Sequence, residues 1–147
     1  SAMNLSMEFS HKMALAYSAA CKPLCRELDL PQTAFDILLF LANNPAYQTA
    51  ADIVEIRRIK ANSVSVNVDK LVRLGYLRRE AVADDRRKTK LLCTEKALPI
   101  IRQGQQLQSD FLERLFRGID PQTKDAFLKT IAAINENLNE QLEGAAL

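Results

Sequence analysis

Near the end of the chain five apolar residues, Phe127, Ile131, Ile134, Leu138 and Leu142, recur at intervals of four, three, four and four. That rhythm follows the turn of an α-helix and contradicts the two-residue alternation of a strand. No Gly or Pro interrupts it between Pro121 and Leu142, so the stretch reads as one long amphipathic helix, capped by Asp120 with Pro121 in its first turn. A stripe of this length needs a covering surface; a second copy of the chain is the expected one, and an intramolecular lid over the domain is the alternative. The preceding helix, about Glu95 to Arg117, carries Leu98, Ile101, Phe111, Leu112, Leu115 and Phe116. Its middle, Gln103 to Gln106, is polar and predicts a bend or a solvent-facing segment.

The same periodicity organises most of the chain. Leu5, Phe9, Met13, Ala16 and Ala20 mark a first helix from about Leu5 to Cys21, which is expected to loosen near Pro23. A second starts near Pro31, with Phe35, Leu38, Leu39 and Ala42 as its core face, and stops at Asn43, Asn44 and Pro45. Thr49 caps a short helix from Ala50 to about Ile56, and Asp52 suits its positive end. A fourth, about Ala61 to Leu74, buries Val64, Val68, Leu71 and Val72 and ends at Gly75. Tyr76 to Val82 and Thr89 to Cys93 read as two short strands about the charged turn Ala83 to Lys88. With four Gly and five Pro in 147 residues and 48% hydrophobic positions, the chain is expected to be a packed, mainly α fold of one domain, or of one domain plus an appendage.

Charge is concentrated. The net value is only +2, yet residues 57–90 hold eleven basic residues against four acidic ones, and the remainder is net negative. A basic island between acidic flanks points to a localised polyanion site. Lys60, Asn62, Ser63, Ser65, Asn67, Lys70 and Arg73 lie on the face of the fourth helix opposite its apolar stripe, where they can meet phosphates and base edges. Arg57 and Arg58, just before that helix, are further phosphate contacts. The hairpin tip, with Asp85, Arg86, Arg87 and Lys88, is the right size to enter a minor groove. There the Asp85 carboxylate could hold the arginine guanidinium it presents.

Catalysis finds little support. One histidine, His11, cannot form a histidine pair for a metal, and there is no Cys-x-x-Cys pair or phosphate-cradling glycine loop. No enzyme activity, metal or cofactor is expected. The longest apolar run, Ile37 to Ala42, is far shorter than the roughly 20 residues that cross a bilayer. Three cysteines, an odd number, indicate a reducing compartment, hence a cytoplasmic protein without a membrane partner. Cys21 and Cys25 sit near Lys22 and Arg26, a setting that lowers a thiol's pKa, so they are the candidate redox pair. The competing reading makes them two small buried apolar residues.

Helix, turn, helix, hairpin and long terminal helix is the order of a winged helix-turn-helix domain, and two blocks sharpen it: VSVNVDKLVRLGYL at Val64 to Leu77 and DDRRKTKLLCTEKA at Asp84 to Ala97. In these the chain resembles the MarR family of transcriptional regulators, over about Leu5 to Leu142. The resemblance implies a winged helix-turn-helix domain at 31–93 with a small β-hairpin wing, flanked by dimerisation helices at 1–30 and 94–147. It implies that the reading helix enters the major groove and that Asp85 and Arg87 are the wing pair, Arg87 reaching the minor groove. Arg58 stands where that family has a turn glycine, Lys60 where it has a capping serine, and Ala97 replaces a glycine. The resemblance further implies an effector cleft for a small aromatic compound, with Phe9, Met13, Tyr17, Phe35 and Phe40 as candidate lining residues. The expected function is a homodimeric, ligand-responsive repressor on a pseudo-palindromic DNA operator. A cysteine-based redox-sensing regulator and a winged-helix protein-interaction module are the alternatives.

Overall fold

The computed structural model describes residues 1–145. They fall into two compact units, Ser1–Phe111 and Leu112 onward, described separately below. Helix α1 spans Ala2–Leu28, α2 Gln32–Asn43, α3 Ala50–Asp52 with a π-helical continuation Ile53–Arg57, and α4 Ala61–Arg73. The hairpin β1 (Leu77–Val82) and β2 (Asp85–Cys93) follows, then a 3-10 turn Glu95–Ala97, α5 (Leu98–Leu115) and α6 (Pro121–Ala145). A mainly helical chain with one antiparallel hairpin is the fold class that the residue pattern predicts.

Helix α1 does not loosen at Pro23: it continues unbroken to Leu28 and ends at Asp29 in the left-handed region, φ 52. Proline withholds an N–H from the carbonyl of Ala19. The next turn is nevertheless held, because Cys21 and Cys25 are buried on either side of it and Leu24 and Leu28 pack on the core. Helix α2 is the centre of the first unit, with Ile37, Phe40 and Leu41 buried as well as the expected Phe35, Leu38 and Leu39. A helix buried nearly all round shows no clean amphipathic stripe in its sequence.

Thr49 and Asp52 form a capping box: the Thr49 hydroxyl accepts from the Asp52 N–H at 3.2 Å, and the Asp52 carboxylate accepts from the Thr49 N–H at 3.1 Å. The chain then reverses through Arg58 at φ 59 and ψ 35. That is the position read as a substituted glycine, and an L-residue there is strained by about 1–2 kcal/mol. Helix α4 ends in a Schellman-type closure, Tyr76 N–H donating to the Leu71 carbonyl at 2.9 Å and Gly75 N–H to Val72 at 3.0 Å, with Gly75 at φ 82.

The hairpin pairs Leu77 with Cys93 through Ala81 with Thr89 in regular register, then jumps so that Val82 faces Asp85. Residues 86–88 are therefore displaced from the ladder as a bulge, and the turn shrinks to Ala83 and Asp84. Arg86 to Lys88 belong to a strand rather than to the expected long turn. Further along β2, Leu91 N–H donates to the Gln48 carbonyl at 2.7 Å and ties the wing to the segment before α3.

Helix α5 is continuous across Gln103 to Gln106, so the predicted bend is absent. Gln103, Gln105 and Gln106 face solvent, the other expected outcome, and Gln105 also joins an inter-helix network: it donates to Asn43, Asn43 to Gln108, and Gln108 to the Tyr17 hydroxyl, each at 3.0 Å. Gly104, between these glutamines, is buried against Leu39 of α2.

In the second unit Asp120 caps α6 as expected, accepting from the Thr123 N–H and hydroxyl at 2.9 Å each. Those bonds lower its pKa. Phe116 meets Phe127 edge-on at 5.8 Å, with the Lys124 ammonium 5.0 Å from the Phe116 ring. The whole stripe from Phe127 to Leu142 is exposed on α6. Among the described residues no helix is long and apolar enough to cross a membrane, and no group of His, Cys, Asp or Glu could hold a metal ion.

Candidate nucleic-acid interface

Burial of Val64, Val68 and Leu71 fixes which side of α4 faces outward. Asn62, Ser65, Val66, Asp69 and Arg73 are exposed on that side, whereas Ser63, Asn67 and Lys70 are half-buried. Asn67 is turned back on its own helix, its amide donating to the Ser63 carbonyl at 2.8 Å. The outward polar face is thus narrower than the residue pattern implies. Val66, which the pattern concealed, is 66% exposed in its middle. Apolar groups at such positions contact thymine methyls. Its neighbours Val64 and Val68 are inward, so composition gave no signal, but its offset of two from both did.

Lys60 occupies the N-cap of α4 and makes no side-chain cap. The Ser63 N–H donates to the Asn62 side-chain oxygen at 2.9 Å, which leaves the N–H groups of Ala61 and Asn62 as those that can receive a phosphate. At the other end the Lys96 ammonium donates to the Leu74 carbonyl at 2.6 Å and lies 5.1 Å from the Tyr76 ring, so the segment after the wing closes the helix.

Two ion pairs sort the basic island. Arg79 on β1 pairs with Asp69 on α4, which locks wing and reading helix together. This positioning contact went unseen in the sequence, because ten residues and a change of element separate the partners. Arg57 pairs with Asp36 of α2 at 3.3 Å, so one expected phosphate contact is partly committed inside the protein. Burial pushes the Asp36 pKa up, its Oδ1 being buried without a partner, while Arg57 opposes the shift.

Arg58, Arg86, Arg87 and Lys88 are exposed and have no acidic partner among the described residues. The Asp85 carboxylate accepts from the backbone N–H of Arg87 at 2.9 Å and does not grip a guanidinium as expected. It shapes the bulge and leaves the cation at liberty. A groove of about 460 Å³ runs between α3, α4 and β2, with Ser65, Arg79, Arg87 and Lys88 on its walls.

None of the five aromatic and methionine candidates lines the 460 Å³ groove. Phe35 has no exposed surface and Phe40 is nearly as buried, so the structure places both in the core. Tyr17 packs edge-on against Phe111 at 5.4 Å, Met13 is half-buried and Phe9 is exposed. Burial pushes the Tyr17 pKa up to about 12. Cys21 and Cys25 are buried too, and desolvation pushes their thiols up, Cys25 to about 11, against the lowering expected from the neighbouring cations.

The MarR family matches residues 28–88 of this chain. Among solved structures, the transcriptional regulator PA3341 is 22% identical, with a TM-score of 0.82 over 92% of this chain and 98% of that one. A MarR family transcriptional regulator from Listeria monocytogenes complexed with 26mer DNA is 15% identical, with a TM-score of 0.81 over 92% of this chain and 89% of that one. The organohalide-sensing regulator RdhR-CbdbA1625, in its 2,4-dichlorophenol-bound form, is 18% identical, with a TM-score of 0.68 over 92% of this chain and 79% of that one.

Proposed function

We propose, from the match of residues 28–88 to the MarR family, that this chain is a member of that family and a homodimeric transcriptional repressor that reads a pseudo-palindromic DNA operator and responds to a small ligand. The observation that carries the reading is the exposed polar face of α4, clamped by Arg79 and Asp69 to a wing whose Arg86 to Lys88 bulge is unpaired. A similar fold is known in complex with DNA. In this reading Asn62, Ser65 and Val66 meet base edges, Arg87 enters the minor groove, and Arg58, Arg73 and Lys88 hold phosphates.

Two copies reading one duplex require half-site centres about 10 bp apart. The exposed stripe of α6 and the exposed Met3, Leu5 and Met7 of α1 support residues 1–30 and 94–147 as the dimerisation region. Apolar patches of that extent mark association surfaces. A relative bound to 2,4-dichlorophenol supports the ligand response.

Selection of bound fragments from random duplex tests the reading, paired with light scattering for mass. A two-fold-symmetric motif and a mass of two chains are expected. A single-chain mass, or no enrichment over scrambled competitor at fixed salt, refutes it.

A further inference from the structure

We infer that the cavity between α1, the α1–α2 connection and α4 binds a small organic dianion, held by Lys22, Arg26 and Lys70. The space is about 660 Å³, within the range that takes small molecules, and it lies apart from the aromatic set discussed above. Lys22 and Arg26 enter from α1 and Lys70 from α4, against a single acid, Asp29, so the lining is +2. None of the three cations has an acidic partner among the described residues. Arg26 also complements the carbonyl end of α1, but that accounts for one charge of the three. Cations gathered without counter-ions repel one another, and an anion with two charges relieves this.

The cavity has two further features of a binding site. Pro31 begins α2 without a side-chain cap, so the first N–H groups of a twelve-residue helix have no side-chain acceptor there. Ala19, Cys25, Leu30 and Pro31 supply an apolar wall for the carbon body of a ligand.

Lys70 makes the cavity more than a passive hole. It is half-buried and lines this space, while Asp69 and Arg73 beside it stand on the outward face of the same helix. An anion that gathers Lys70 toward α1 acts on the helix that carries Asn62, Ser65 and Val66. This coupling rests on the DNA-reading function proposed above, whereas the binding itself does not.

The test is an amide NMR titration of the full chain with succinate, inorganic phosphate and butyrate, at ionic strength held constant with chloride. Succinate and phosphate are expected to saturate and to shift the amides of residues 18–32 and Lys70, with butyrate at least about tenfold weaker. Lys22→Gln and Arg26→Gln, both at exposed positions, each weaken succinate about tenfold, and Lys22→Arg restores it. Equal affinity for butyrate, unsaturable shifts, or variants that leave succinate binding unchanged overturn the site. In parallel, saturating succinate changes DNA affinity of the wild-type chain and not of Lys22→Gln. Succinate binding with unaltered DNA affinity overturns the coupling. Lowered DNA affinity of Lys22→Gln without any anion binding reassigns these cations to the DNA backbone and also overturns the site. A chain that binds no DNA refutes the function and leaves the titration to judge the cavity.

Discussion

Gly104→Ala pits two opposite contributions against each other at one position. Replacing a helical glycine by alanine ordinarily gains about 1 kcal/mol. Here the added Cβ lies 2.8 Å from Leu39 Cδ2, 2.9 Å from Cδ1 and 3.0 Å from Cγ, closer than carbon atoms pack. Leu39 is 1% exposed on α2, so it cannot swing aside, and overpacking of this kind costs about 1–3 kcal/mol. With three atoms of one side chain overlapped, the upper half of that range applies, and the net loss is about 1–2 kcal/mol. Urea denaturation at fixed protein concentration is expected to show a lower midpoint with an unchanged slope. The decisive comparison is the Leu39→Ala background: with the obstructing atoms gone, the same Gly104→Ala change becomes stabilising by about 1 kcal/mol. Stabilisation by Gly104→Ala in the wild-type background would refute the claim that α5 and α2 are in near-backbone contact there.

Other outcomes follow from the described geometry. Arg87→Ala is expected to weaken DNA binding about tenfold or more, to reduce the salt slope by about one, and to leave the melting temperature unchanged, measured by gel shift across a salt series. Arg58→Gly relieves a left-handed φ and raises stability by about 1 kcal/mol in a thermal melt, while DNA affinity falls with the lost cation. Lys60→Ser supplies the missing cap of α4 and adds about 1 kcal/mol, read by the same melt. Cys25 has a folded-state pKa raised from 9.0 to about 11, so its contribution to stability is complete below pH 9 and is lost as pH climbs toward 11. Alkaline melts of Cys25→Ala are expected to be flatter through that window, and alkylation of native Cys25 at pH 8 is expected to lag far behind that of the unfolded chain.

The sequence was most readable where one local cause dominated. The α4 stripe and its Gly75 ending and the Thr49 and Asp120 caps each depend on residues within a turn or so, whereas the left-handed turn at Arg58 was indicated only by the family resemblance. Reading failed where distant partners decided. Pro23 is a breaker by local rules, yet burial on both sides carries the helix through it. Gln103, Gln105 and Gln106 do face solvent as their polarity implied, but the bend was wrongly expected and the bond from Gln105 to Asn43 of α2 was invisible at a separation of 62 residues. In the basic island, residue type alone could not separate Arg79, Arg57 and Lys70, which face Asp69, Asp36 and a cavity, from Arg87 and Lys88, which face outward.

A strand held in register must send successive side chains to opposite faces. Arg86, Arg87 and Lys88 stand outside the pairing, so that rule does not bind them, and three adjacent positive charges can be aimed at one strand of a partner. The same detachment isolates them mechanically. Length or composition at this spot can drift while Leu77 to Ala81 and Thr89 to Cys93 keep their pairing, which lets target preference change without rebuilding the domain beneath.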